Sequence, residues 1–336
     1  MKKWLKRVLL VLAVLVLIWV VLAIWPRPDN YELDNPMRKE GDLPILIAHG
    51  GGNQEFPDNT LEAFYNAYSV DPDVMMETDV SITKDGVIIL SHDTTLDRKT
   101  NVSGNISDWN YTDLMEQRVD FGYSNPTEHD ILSGDRQKYT DGYGQEKSPL
   151  DVTYPDAIAP RDPEVFLATT LEELLTAFPN NRINVEIKQS GDLGIQALRE
   201  VLRLLTVYDA FDRVVLASFH EEVYDEFQRL QEAGEVPETF MCSPAYDAAT
   251  AFFVMQMLKV DLFFYDDMAA FQFPMEELGF DLATESFVNA AHRHNLAIHY
   301  WTINEPEDMR YLIDIGADGI MTDFPHRLQE VYAEYR

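Results

Sequence analysis

Val74-Met75-Met76-Glu77-Thr78-Asp79-Val80 is the stretch that decides the fold. Apolar at both ends, it reads as a buried strand. Its two carboxylates lie two residues apart, so strand alternation points them to the same side. Burying two acids together is costly unless a cation neutralises them, which makes packing a poor explanation for this segment. In a closed barrel the shared side is the interior. A strand facing outward, with both acids solvated, is the alternative left open by spacing alone.

The surroundings favour the barrel. Upstream, Pro44-Ile45-Leu46-Ile47-Ala48 is a short apolar run ending at His49-Gly50-Gly51-Gly52, a buried strand followed by a tight loop. Asn59 or Thr60 then caps a helix whose Leu61, Ala63, Phe64 and Ala67 share one side. Downstream, Lys84-Asp85-Gly86 is a hairpin turn into Val87-Ile88-Ile89-Leu90. Further strands are expected at 183–187, 214–217, 239–242, 260–264, 297–300 and 319–321, with helical stretches between most of them. About eight strand-then-helix units predict a closed (β/α)8 barrel, here assigned to residues 44–330. Between Tyr111 and Glu164 the pattern gives way to polar sequence rich in Asp, Gly, Pro and Tyr, read as an inserted subdomain or lid, or a loop packing on itself.

Val8 to Trp25 is an unbroken run of 18 apolar residues, enough to span a bilayer as a helix, and Pro26 ends it. Lys2, Lys3, Lys6 and Arg7 precede the run, which places the N-terminus inside and the rest outside the cell. Residues 1–25 are therefore read as a transmembrane anchor and 26–43 as a tether. A cleaved signal peptide ending near Val21-Leu22-Ala23 is the rival.

The chain of 336 residues carries 58 acidic and 26 basic residues, a formal charge of −32. Without the four N-terminal cations the remainder stands at −36. Such a body argues against nucleic-acid binding, which needs clustered Lys and Arg. It also attracts divalent cations. The 46% hydrophobic content excludes a disordered acidic chain, and the single Cys242 excludes an internal disulfide.

Glu186, in Ile183-Asn184-Val185-Glu186-Ile187-Lys188, adds a third carboxylate near the end of the next major strand. With Glu77 and Asp79 it forms an oxygen-rich set suited to calcium or magnesium. His49 and His92 both close strands, where a barrel builds its active site. A histidine pair beside a hard metal can divide general-base and general-acid work in phosphoester cleavage. Lys188 shares its strand side with Glu186 and suits a phosphate oxygen. His129, His220, His292, His294, His299 and His326 are read as structural or solvated.

In order and spacing, several motifs resemble glycerophosphodiester phosphodiesterases. They are His49-Gly50-Gly51, Pro57-Asp58-Asn59-Thr60-Leu61-Glu62-Ala63-Phe64, Glu77-Thr78-Asp79-Val80, Thr83-Lys84-Asp85-Gly86-Val87 and His92-Asp93. Glu186-Ile187-Lys188, Ser218-Phe219, Trp301-Thr302-Ile303-Asn304 and Gly319-Ile320-Met321-Thr322-Asp323-Phe324-Pro325 continue the series. The resemblance implies a (β/α)8 TIM barrel hydrolysing glycerophosphodiesters to glycerol 3-phosphate and an alcohol with a divalent metal. It implies Glu77, Asp79 and Glu186 as metal ligands, His49 and His92 as acid and base, Lys188 on phosphate and Trp301 in the pocket wall. Asp58 stands where the family commonly has Glu, and is expected on the substrate side. Gly50 stands where the family commonly has Arg, which removes a bidentate phosphate contact. Glycerophosphodiesters, lysophospholipids and polyglycerolphosphate fragments are the expected substrates. A catalytically weak barrel serving as a binding module is the second hypothesis, and a metal-independent phosphoinositide-cleaving barrel the third.

Overall fold

The computed structural model describes residues 2–31, 34–123, 137–243, 246–266, 268–277 and 279–336. The elements in chain order are α1 (Lys2–Ile24), β1 (Ile45–Ala48), α2 (Leu61–Val70), β2 (Met75–Ile82), β3 (Ile88–Leu90), α3 (Tyr111–Glu116), α4 (Leu171–Ala177), β4 (Ile183–Ile187), α5 (Gly191–Val207), β5 (Val214–Ala217), α6 (Glu221–Glu232) and β6 (Met241–Cys242). They continue with α7 (Tyr246–Met257), β7 (Ala270–Phe273), β8 (Glu276–Glu277), β9 (Phe280–Asp281), α8 (Glu285–His292), β10 (Ala297–Tyr300), α9 (Pro306–Asp314), β11 (Gly319–Thr322) and α10 (Pro325–Ala333).

Eight strands (β1, β2, β4, β5, β6, β7, β10 and β11) run parallel in chain order, and the sheet curls until β11 pairs with β1, Ile45 opposite Gly319. This is a TIM barrel; among the described residues no ladder joins β6 to β7. Strand β3 lies outside the ring as an antiparallel hairpin on β2.

Alternation sorts the side chains. Leu46, Met76, Val80, Val185 and Ile187 point outward and join the helices in the larger core. Ile45, Ile47, Met75, Val215, Met241, Ala297 and Met321 fill the lower interior. Every residue of β2 is buried, as expected of a parallel strand covered on both faces. Thr60 rather than Asn59 caps α2, its hydroxyl accepting from the Ala63 N–H at 3.2 Å.

One expectation is corrected. Residues 260–264 form no strand: Asp261–Phe263 is a single 3-10 turn, and Phe264 packs on Phe252 with ring centres 5.0 Å apart. The strand of this unit is β7, whose Ala-Phe-Gln-Phe is interrupted by a polar residue that faces the cavity. Within 111–164, α3 and the hydrophobic Val119, Phe121 and Val152 join Phe56, Leu96 and Phe166 in a second cluster. Residues 139–146 pack against the first loop, with the Tyr139 hydroxyl donating to the Asn53 carbonyl at 2.8 Å. His129 lies outside the described residues, as does the Cys242 side chain.

The segment 26–43 does not stand away from the barrel but closes its lower end. The Asn30 amide donates to the Asp266 carbonyl (2.9 Å), and that of Asn35 to the carbonyls of Ala269 and Asn295 (2.6 and 2.7 Å). Arg182 donates to the Pro36 carbonyl at 2.7 Å. Met37 is fully buried in the lower interior, and its carbonyl lies 2.8 Å from Nε2 of the buried His299. Asp266, Ala269, Asn295 and Arg182 all precede strands, so the segment crosses the face where the strands start.

Candidate active site

At the opposite face, where the strands end, lies a cavity of about 330 Å³. Its lining includes His49, Glu77, Asp79, His92, Glu186, Lys188 and Trp301, so seven of the eight expected site residues meet in one place. Asp58 does not line it: that carboxylate is buried, with its oxygen 2.8 Å from the Lys99 ammonium. Phe219, following β5, is the exposed aromatic residue of the lining. None of the described residues of 111–164 is in the lining.

The acids follow from the ladder. Asp79 on β2 stands in register with Glu186 on β4, and Glu77 is two residues below on the same face. One oxygen from each of Glu77, Asp79 and Glu186 lies within 4.8 Å of the others. Burial first, then the Asp79 charge, pushes the Glu77 carboxyl up to about 8, with His49 opposing. Burial likewise raises Glu186 despite the Lys188 ammonium beside it. Lys188 contacts Glu186 at 2.7 Å and Asp79 at 3.1 Å. Burial opposes its charge, but the two carboxylates outweigh that and raise it. A buried trio of acids with one ammonium is short of positive charge, and oxygen donors at this separation fit a hard divalent cation.

Each histidine is held from behind by an acid. His49 Nδ1 lies 2.6 Å from Asp323 Oδ1, and the Asn304 amide holds the other Asp323 oxygen at 2.7 Å. Burial lowers the His49 imidazolium, but the Asp323 hydrogen bond and the charges of Glu77, Asp323 and Asp79 raise it to about 10. His92 Nδ1 lies 3.0 Å from Asp93, which also accepts from Arg98 Nε at 2.5 Å and Nη2 at 3.0 Å. The hydrogen bond from Asp93 raises His92, against burial.

Sequence reasoning missed several supporting residues. Asn59, at φ +59°, accepts from the Thr78 hydroxyl (2.7 Å) and the Asp79 N–H (3.0 Å) and donates to Asp79 Oδ2 (3.0 Å). An Asn beside a capping Thr was the available signal, since Asn tolerates the left-handed region. Asp323 and Asn304 lie inside motifs that were quoted without a role. Deeper in the cavity, Asn184 donates to Gln272 across the barrel at 3.2 Å, leaving Asn184 Oδ1 and Gln272 Nε2 buried without a hydrogen-bond partner.

The two departures at Gly50 and Asp58 face each other. Gly50 has φ +54°, and a Cβ there would lie 2.9 Å from the Asp58 Cβ. Its N–H donates to Glu77 at 2.8 Å. The cation beside position 58 is supplied instead by Lys99.

Of the remaining histidines, His294 is buried on Asn30 (2.7 Å), and His292 and His326 pair with Asp318 and Glu55 (2.7 and 2.6 Å). His220 Nε2 lies 3.0 Å from the Lys188 carbonyl. All four are structural, as expected.

The profile described as "Glycerophosphoryl diester phosphodiesterase family" matches residues 49–327. Lysophospholipase D GDPD1 of Rattus norvegicus is 24% identical over 314 residues, covering 87% of each chain. A probable glycerophosphodiester phosphodiesterase 2 of Mycobacterium tuberculosis is 25% identical, covering 85% of this chain and 90% of its own. Among solved structures, a putative glycerophosphoryl diester phosphodiesterase of Silicibacter pomeroyi aligns with TM-score 0.62 at 21% identity, covering 89% of this chain and 96% of that one. An Oleispira antarctica phosphodiesterase, solved with the product sn-glycerol-3-phosphate, aligns with TM-score 0.58 at 19% identity, covering 87% and 97%.

Proposed function

The chain belongs to the glycerophosphoryl diester phosphodiesterase family, and from that membership we propose a metal-dependent enzyme that hydrolyses glycerophosphodiesters to glycerol 3-phosphate and an alcohol, or lysophospholipid-like relatives to lysophosphatidate and an alcohol. The observation that carries it is the convergence of three carboxylates and two acid-backed histidines on one cavity. Glu77, Asp79 and Glu186 would hold a calcium or magnesium ion. Bound there, the ion supplies positive charge to a phosphoryl oxygen and eases attack on phosphorus.

The chain's own groups supply the rest. One imidazole takes the proton of the attacking glycerol 2-hydroxyl and the other gives a proton to the departing alcohol oxygen, each contributing about 10²–10⁴-fold; with the roles reversed, water then opens the resulting cyclic phosphate. Asp323 and Asp93 fix which ring nitrogen faces the substrate, because each binds Nδ1 and leaves Nε2 for chemistry. Lys188, the lysine in the lining, is placed to hold a phosphate oxygen. The unpartnered amide atoms of Asn184 and Gln272 suit glycerol hydroxyls, and Trp301 walls the pocket. Helix α1, long and apolar enough to span a bilayer, would anchor the barrel on the outer side with the N-terminus inside.

The test is glycerol 3-phosphate release from glycerophosphocholine by the full chain in detergent, with EDTA, calcium or magnesium. Activity restored by metal and lost in His49→Ala and Glu77→Ala is the expected outcome. No turnover of glycerophosphocholine or lysophosphatidylcholine under any of these conditions overturns the proposal in favour of a binding module.

A further inference from the structure

The anchor and the catalytic cavity lie at opposite ends of the barrel. The residues just past α1 are pinned to its lower face without slack. Arg27 forms a bidentate pair with Asp261, 2.8 Å on each arm, and its guanidinium also takes the carbonyls of Leu22 and Ala23 at the end of α1 (3.1 and 3.2 Å). Trp19, inside the apolar run, donates its indole N–H to the Leu258 carbonyl at 2.9 Å. Asn30 and Asn35 then hold the next turns of chain to the same face. No free length remains for the barrel to tip its cavity toward the bilayer without breaking these contacts.

Around this junction the surface is apolar. Val254, Met257, Leu258, Phe263 and Tyr265 are between 48% and 66% exposed and lie on the end of α7 and the turn after it. Apolar side chains clustered on a surface mark an interaction site. This cluster is continuous with Trp19, an indole of the kind that settles at membrane interfaces. Asp261, the acid at its centre, is neutralised by Arg27 and by Arg293 at 3.3 Å. An otherwise acidic body therefore presents an apolar corner where its anchor leaves, with the exposed acids Asp29 and Asp266 at its edge.

We propose that this lower corner rests in the interface of the bilayer that α1 crosses, so that the catalytic cavity faces away from that bilayer and draws its diester from the aqueous side. The substrate class is thus a water-borne glycerophosphodiester, and a lysophospholipid resident in the anchor's own membrane is out of reach. The height follows from α7, whose 12 residues span about 18 Å between the two faces. This inference rests on the phosphodiesterase and anchor readings above.

The experiment uses the full chain reconstituted in phosphatidylcholine vesicles. A nitroxide on Phe263→Cys should be relaxed by lipid-soluble oxygen and shielded from an aqueous nickel chelate, and one on Phe219→Cys, at the mouth of the cavity, the reverse, with the parent protein setting the Cys242 background. Choline release is then compared for soluble glycerophosphocholine, for a very-long-chain lysophosphatidylcholine in detergent micelles, and for the same lysolipid resident in the enzyme's own vesicles. Resident lysolipid should be cleaved at least about tenfold more slowly than micellar, because tethering gives no advantage when geometry forbids simultaneous engagement. Equal rates, or a water-exposed label at 263, would overturn the inference. Absence of turnover on soluble and micellar substrates together would instead sink the phosphodiesterase reading, and the label still reports on the corner.

Discussion

Replacing Lys99 by Met removes the cation from a carboxylate that has almost no contact with water. In the native protein burial raises Asp58, but Lys99 and then Arg98 outweigh it and bring the carboxyl down to about 2. Against an ordinary value of 3.8, that shift is worth about 2 kcal/mol. Because the folded value lies below the unfolded one, this stability is present above pH 3.8 and is lost as pH falls toward 2. Burial lowers Lys99 in turn, so the pair as a whole is nearly neutral and the cost emerges only when one member is removed. Lys99→Met should therefore lose about 3–5 kcal/mol at pH 7. The Asp58 carboxyl would then rise above its unfolded value, and this site's contribution to the pH slope should reverse: acidification from pH 6 to 4 stabilises the variant relative to the parent. Lys99→Met with Asp58→Asn should recover most of the loss. Urea-unfolding midpoints of the detergent-solubilised chain at several pH values give the answer. A single variant within about 1 kcal/mol of the parent, or with the parent's pH slope, would falsify the reasoning.

Asp323→Asn should lower kcat by about a hundredfold with little change in KM, and shift the imidazole limb of the pH–rate profile to lower pH, because the carboxylate charge that raises His49 is gone; an unmoved limb counts against the orienting role. Metal-free protein should lose thermal stability as pH rises from 5 to 9. The raised His49 contributes fully below pH 6.5 and is lost toward about 10, and the raised Glu77 loses its proton through about 8, so both run the same way. Added calcium or magnesium should flatten that fall, and a flat profile in EDTA would contradict it. Gly50→Ala should cost about 1–2 kcal/mol in unfolding free energy from the positive φ alone, before any contact with Asp58.

Most of the barrel was legible because its strands are local apolar runs with period-two patterning. The carboxylates were legible for the same reason: Glu77 and Asp79 are two apart, and Glu186 and Lys188 are two apart. The sixth barrel strand escaped because Gln272 breaks its run, while Val260–Phe264 imitated a strand with two phenylalanines, of which Phe264 serves a helix-side cluster and Phe263 is exposed. Asn59, Asp323 and Lys99 escaped for a deeper reason. Each acts on a residue at least 19 positions away in sequence, through a juxtaposition that exists only once the sheet has closed.

The chain between anchor and barrel is also the barrel's floor, with Met37 as its buried stopper. A protease therefore has no neutral place to cut among the described residues of 30–43. Cleavage there would free the domain only by pulling out part of its own core, so shedding and unfolding become one event. A cut before Arg27 would release an intact enzyme that still carries the Asp261 clasp.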